Sequence, residues 1–164
     1  MQLKLVKSFW GMEGTLREKM ERIAAAGFAA VEGRPAGIGT VDEFMPLRRE
    51  YHLEYIPMIL TEGATLADHL TDFRAKVEEA LRYEPLQITV HSGKDSWPFA
   101  QQKTFFAEAL EIEQRIGVPL NHETHRSRAM FTPWTTAALL HEFPELHINA
   151  DFSHWLNVCE SRLE

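Results

Sequence analysis

Four strand-like runs of this sequence finish on side chains able to ligate a cation or move a proton. Glu32 closes Phe28-Ala-Ala-Val-Glu32, and His91 closes Leu86-Gln-Ile-Thr-Val-His91. Glu123 follows Val118-Pro-Leu-Asn-His122, and Asp151 follows Leu146-His-Ile-Asn-Ala150. A carboxylate at the end of a buried strand is costly unless a cation or hydrogen-bond donor meets it. Such ends, recurring roughly every thirty residues, would converge on one face of a parallel sheet or barrel, where α/β enzymes place their chemistry.

The densest group is Asn121-His-Glu-Thr-His-Arg126, with Arg128 just beyond. Glu123 there suits a hard oxygen ligand or a base, and Arg126 or Arg128 suits an anionic substrate group. Alternation along a strand turns His122 away from Glu123, toward packing. Asp151 and His154, three apart, face one pocket if the chain turns directly after the strand. The competing reading makes Asp151 a helix N-cap. His91, before the small Ser92-Gly93 step, suits substrate or metal, and Glu32 is equally explained by a tie to Arg34. Trp10, Trp97 and Trp134 each fit a sugar-sized pocket wall or core packing. No Gly-x-Ser-x-Gly frames a nucleophile, Cys159 is the single cysteine, and Gly37-Ile-Gly39 is too short for a phosphate-loop fingerprint.

The elements that must position these groups alternate. Strands are expected over 3–10, 28–32, 54–60, 86–91, 118–123 and 146–151. Thr15 with Glu18 opens a helix that stops at Gly27, and Thr40 with Glu43 opens a second, where Pro46 predicts a kink or a late start. Leu66, Leu70, Phe73, Val77 and Leu81 keep a 3.6-residue period in a third. A fourth runs from about Pro98 to a stop at Gly117, and a fifth begins at Thr132-Pro133. Nothing divides residues 1–164, so one domain is expected. Six strand–helix units imply a parallel sheet. A doubly wound open sheet is complete at this length, whereas a (β/α)₈ barrel, usually about 250 residues, would lack two units. Rhythm alone admits both.

Composition narrows the rest. With 45% hydrophobic and 25% charged residues the chain can bury a core, which excludes disorder. A net charge of −7 argues against nonspecific nucleic-acid binding while leaving room for a local basic groove, and one cysteine excludes a multi-cysteine zinc site. No signal-like or membrane-length apolar run occurs, so the expectation is a cytoplasmic protein with no membrane partner.

Val-Glu-Gly after the second strand, Val-His-Ser-Gly after the fourth, His-Glu-Thr-His-Arg after the fifth and Asp-Phe-Ser-His after the sixth resemble, together, the xylose isomerase-like superfamily. The closest likeness is to its sugar-phosphate isomerase/epimerase type; the endonuclease IV type is more distant. The resemblance runs from Leu3 to about Trp155. It implies an α/β TIM-barrel fold with about six of eight units in this chain, and one divalent ion (Mn, Mg, Co or Zn). Carried over by motif, Glu123 and Asp151 are metal ligands, Glu123 also being the catalytic carboxylate. His154, His91, Arg126 and Trp97 are then substrate-binding candidates. The family's remaining His and Glu ligands belong to strands seven and eight, so the site is expected to be incomplete here. The implied reaction is metal-assisted proton transfer next to the carbonyl of a small polyhydroxylated or sugar-phosphate substrate. Alternatives are a non-catalytic partial barrel or relic that self-associates through its exposed edges, and an endonuclease IV-like metal-dependent hydrolase. An open-sheet binding domain with no metal requirement is a further expectation to set against these.

Overall fold

The computed structural model describes residues 3–161, in which six parallel strands alternate with six α-helices. In chain order they are β1 (Val6–Ser8), α1 (Leu16–Ala25), β2 (Ala30–Gly33), α2 (Val41–Glu50), β3 (Glu54–Leu60) and α3 (Leu66–Leu81). Then follow β4 (Ile88–His91), α4 (Phe99–Ile116), β5 (Leu120–Glu123), α5 (Pro133–Glu142), β6 (His147–Asn149) and α6 (Phe152–Cys159). The strand order is β1-β2-β3-β4-β5-β6, every neighbouring pair parallel. A doubly wound sheet breaks that order at a switch point. Strictly sequential order is barrel winding, and the six units form a curled part of an α/β TIM-type barrel.

Local chemistry explains the helices. Thr15 and Glu18, Thr40 and Glu43, and Thr65 and Asp68 form reciprocal capping boxes that open α1, α2 and α3. The expected late start of α2 does not occur: it begins at Val41 and runs through Pro46 to Glu50. One missing backbone bond is offset by the capping box and by burial of Phe44, Met45 and Leu47. Gly117, at φ +67°, ends α4 in the left-handed region that other residues resist.

The strands are mostly shorter than their apolar runs. β3 spans the full expected 54–60, because it pairs on both sides, with β2 through Glu54–Pro57 and with β4 through Met58–Leu60. β1 shrinks to Val6–Ser8, since it pairs only with β2, and Leu3 and Leu5 stay exposed.

Alternation sorts each strand into two faces. Val31, Tyr55, Ile59, Ile88, Val90 and Leu120 pack beneath the helices in two clusters, one under α1 and α2 and one under α3, α4 and α5. Glu32, Thr89, His91, Asn121 and Glu123 occupy the alternate positions, on the inner face. The helices thus leave the polar face to line a cavity at the C-terminal strand ends.

Candidate metal and substrate site

Glu123 is the centre of that cavity. It is 7% exposed, and register places it between two polar side chains: Asn149 on β6 is its Cα partner, and His91 lies one residue past the Val90–His122 pair on β4. Asn149 Nδ2 donates to Glu123 Oε2 at 3.1 Å. His91 Nε2 also lies 3.1 Å from Oε2, but without hydrogen-bond geometry, and neither ring nitrogen of His91 has a hydrogen-bond partner among the described residues. A buried imidazole and carboxylate brought together without a shared hydrogen bond are poorly satisfied by protein alone.

The Asp151 segment turns at once after β6, as its spacing required. Asp151 is the N-cap of α6, its Oδ1 accepting from the Ser153 backbone and hydroxyl, while Oδ2 lies 3.7 Å from His154 Nε2. The capping role and the site role are therefore compatible, one oxygen for each. Burial alone would raise the Asp151 pKa, but the two Ser153 bonds and His154 together hold it below the ordinary aspartate value. His154 Nδ1 is buried without a hydrogen-bond partner among the described residues.

His125 completes the arrangement and has its own sequence signal. Glu123 and His125 are two apart, which aims both at one face while the chain stays extended. Its ring lies 4.4 Å from that of His91 and 3.8 Å from that of His154, forming a row of three imidazoles beside Glu123. The Arg126 carbonyl can only accept, so His125 Nδ1 carries the proton and Nε2 keeps its lone pair. Burial lowers the His125 pKa and so favours the neutral ring, against the opposing pull of the Arg126 carbonyl. Two groups result whose ligand atoms lie within 4.8 Å of one another: Glu123, Asp151 and His154, and His91, Glu123 and His125. Unpartnered ring nitrogens and two carboxylates at the strand ends fit a divalent cation.

His122 faces away, as alternation requires. It packs edge-on against Phe106, its Nδ1 lies 2.6 Å from Ser92 Oγ, and burial drives its pKa down to about 3.

Glu32 lines the same cavity of about 950 Å³, across from Glu123, together with the exposed Trp10. No ion pair joins it to Arg34. Its Oε1 accepts from Thr89 Oγ1 at 3.1 Å, a contact spanning two strands, which the curl of the sheet makes possible. Burial raises the Glu32 pKa and the Glu123 charge adds to that, while Thr89 and His91 oppose it. Folding therefore favours the protonated acid. Its stabilisation is full below the unfolded value of about 4.3 and is lost as pH rises through the folded value. Glu32→Gln, neutral at every pH and still bonded to Thr89, should raise Tm near pH 8 and leave it unchanged near pH 4. Thermal unfolding at the two pH values checks this, and an equal shift at both would contradict it.

Trp97 and Arg126 are not brought to Glu123. The Trp97 ring covers the core, 4.7 Å from His69 and 6.0 Å from Phe105, so the packing reading replaces the substrate-wall reading. Gly93 makes that possible: its φ is +57°, and a Cβ there would lie 2.6 Å from Trp97 Cζ3. Gly93→Ala should cost about 1–3 kcal/mol and displace the indole. Denaturant melts with tryptophan fluorescence would show both effects. Arg126 is exposed and lines a neighbouring cavity, described below.

A sequentially wound, curled parallel α/β sheet, with acids and imidazoles gathered at its C-terminal strand ends, defines the class: a partial TIM-barrel fold. The comparisons with solved structures agree. The structure is similar to the probable 3-DHS dehydratase AsbF involved in petrobactin synthesis from Bacillus anthracis, with TM-score 0.70 and 16% identity over 94% of this chain and 65% of that one. It is similar to AP endonuclease, family 2, from Brucella melitensis, with TM-score 0.71 and 14% identity over 98% and 73%. It is also similar to the 3-keto-D-glucoside 4-epimerase YcjR from E. coli, with TM-score 0.69 and 16% identity over 99% and 73%. The chain thus spans 65% to 73% of the length of these three. No family model and no curated protein matches it. Among the described residues, no helix is long and apolar enough to cross a membrane.

Proposed function

We propose that the cavity holds a divalent ion between Glu123, Asp151 and His154 and carries proton transfer next to the carbonyl of a small polyhydroxylated substrate. The observation that supports this reading is the convergence of those three ligand atoms within 4.8 Å, from the end of β5 and the first turn of α6. When bound, such an ion polarises a carbonyl and steadies the negative charge that develops on it. In this reading Glu123 takes the proton, and the Asn149 amide that donates to its carboxylate supports that role. His91 and His125 wall the same cavity and offer hydrogen bonds to hydroxyl groups. Mn, Mg, Co or Zn all suit this donor set. Similarity to an epimerase and a dehydratase of the same fold is in keeping with carbohydrate-like substrates.

The test follows carbon-bound hydrogen. Mn-loaded protein is incubated in D2O with a panel of ketoses and ketose phosphates, and deuterium entering beside the carbonyl is read by NMR. Exchange that stops with EDTA is the expected result. Its absence across the panel in metal-loaded protein would sink the reading.

The second group, His91, Glu123 and His125, favours one other reading, a hydrolase of the endonuclease IV kind with a second ion at Glu123. The net charge of −7 opposes a nucleic-acid substrate. Metal titration separates the two: one ion per chain for proton transfer, two for the hydrolase.

A further inference from the structure

A second cavity of about 530 Å³ opens beside the first, between the loops after β3, β4 and β5, and His125 lines both. Lys94, Arg126 and Arg128 line this second cavity. Some other partly buried cations meet carboxylates: Arg48 meets Glu54 at 2.8 Å, and Lys76 meets Glu62 at 2.8 Å and Asp72 at 3.0 Å. No carboxylate of the described residues pairs with Lys94, Arg126 or Arg128. Glu62, which shares the cavity wall, is already engaged by Lys76, leaving Asp95 as the other acid there.

Two of these cations are held by carbonyls rather than by carboxylates. Arg128, half-buried, donates from Nη1 to the carbonyls of Thr61 at 2.8 Å and Gly93 at 3.3 Å, and Lys94 Nζ donates to the Gly63 carbonyl at 2.9 Å. At the same wall His69 is fully buried, with Nδ1 2.9 Å from Thr61 Oγ1 and Nε2 lacking a hydrogen-bond partner. A half-buried guanidinium bound to neutral carbonyls loses hydration without a paired carboxylate, Glu62 and Asp95 acting on it only at longer range. In a chain of net charge −7, a hollow lined by the partly buried Lys94 and Arg128 and the exposed Arg126 is a local concentration of positive charge.

We propose that this cavity binds the phosphate group of a substrate whose hydroxylated part occupies the Glu123 cavity, with His125 at the junction. A phosphate monoester matches it: two negative charges and three acceptor oxygens against three cationic side chains. The proposal rests on the reading of the Glu123 cavity as a substrate site, and it narrows the substrate from polyols in general to their phosphates.

Calorimetry on EDTA-treated protein tests the site without its metal. Inorganic phosphate should bind the wild type saturably. Arg126→Gln with Lys94→Gln, both away from the Arg128 anchor, should weaken that binding by about ten- to a hundredfold while far-UV CD stays unchanged. Glucose 6-phosphate should bind more tightly than glucose in the wild type and lose that preference in the double variant. Wild-type protein that shows no saturable phosphate binding, or a double variant that binds as tightly, would overturn the proposal. Phosphate binding that persists in protein unable to bind Mn would instead overturn the proton-transfer reading and leave this site standing.

Discussion

Glu123→Gln is expected to lower divalent-ion affinity by at least about a hundredfold and to abolish metal-dependent hydrogen exchange, with the fold retained. Groups that merely orient metal ligands already cost 10- to 100-fold when removed, so a ligand common to both candidate groups belongs at or beyond the top of that range. Glutamine keeps the volume of the buried side chain, and its amide oxygen can still accept from Asn149. Only the charge is lost. Without metal, removing a buried carboxylate that lacks a cation should leave Tm equal or higher. The variant therefore separates function from folding. Thermal shift gives the readout: an ion at a hundred times its Kd stabilises the wild type by about 2.7 kcal/mol, and the variant should show almost none of this. Equal metal-induced stabilisation in both proteins would remove Glu123 from the site and leave Asp151 and His154 as the ligands to examine.

Phe106→Ala should be the costliest single core truncation, about 3–5 kcal/mol, lowering Tm by about 2–4 °C for each kcal/mol. Phe106 is fully buried on α4, with its ring 5.5 Å from Phe105 and nearly perpendicular to it. Its other neighbour is the His122 ring, 4.9 Å away at 83°. His122 sits next to Glu123 in the chain, and its Nδ1 contact with Ser92 ties β5 to the end of β4. Truncation therefore opens a hole beside a buried polar pair that relies on apolar walls. Phe106→Leu, which refills much of the volume, should recover most of the loss. Urea melts of the three proteins check the order. An alanine variant within 1 kcal/mol of the wild type would mean that this contact does not hold the strands together.

Strand-end chemistry was legible because it is local. An acid at the end of an apolar run advertises a site, and alternation alone turned His122 outward and Glu123 inward. Lateral contacts were not legible in the same way. The partner of Glu32 is Thr89, 57 residues away, rather than the nearby Arg34, because the sheet curls and sets two non-adjacent strands face to face. Trp97 looked equally suited to a cavity wall and to the core, and the positive φ of Gly93 decided for the core. His125 carried a usable signal, the two-residue spacing from Glu123. It was masked because the chain leaves the strand just there, where alternation no longer guarantees direction.

The sequence by itself determined the alternation of six strands with helices, their caps, the full extent of β3 and the identity of the strand-end groups. These follow from side-chain period and backbone capping, which act within a few residues. Only the tertiary structure decided that the strands are wound in order, and that His91, Glu123 and Asn149 stand level on three of them. Strand order and register are set by which apolar faces the helices cover together, a property of the assembled chain that no single segment contains. The cation-lined hollow between three loops exists for the same reason: its members lie on separate segments, and only the curl of the sheet brings them to one place.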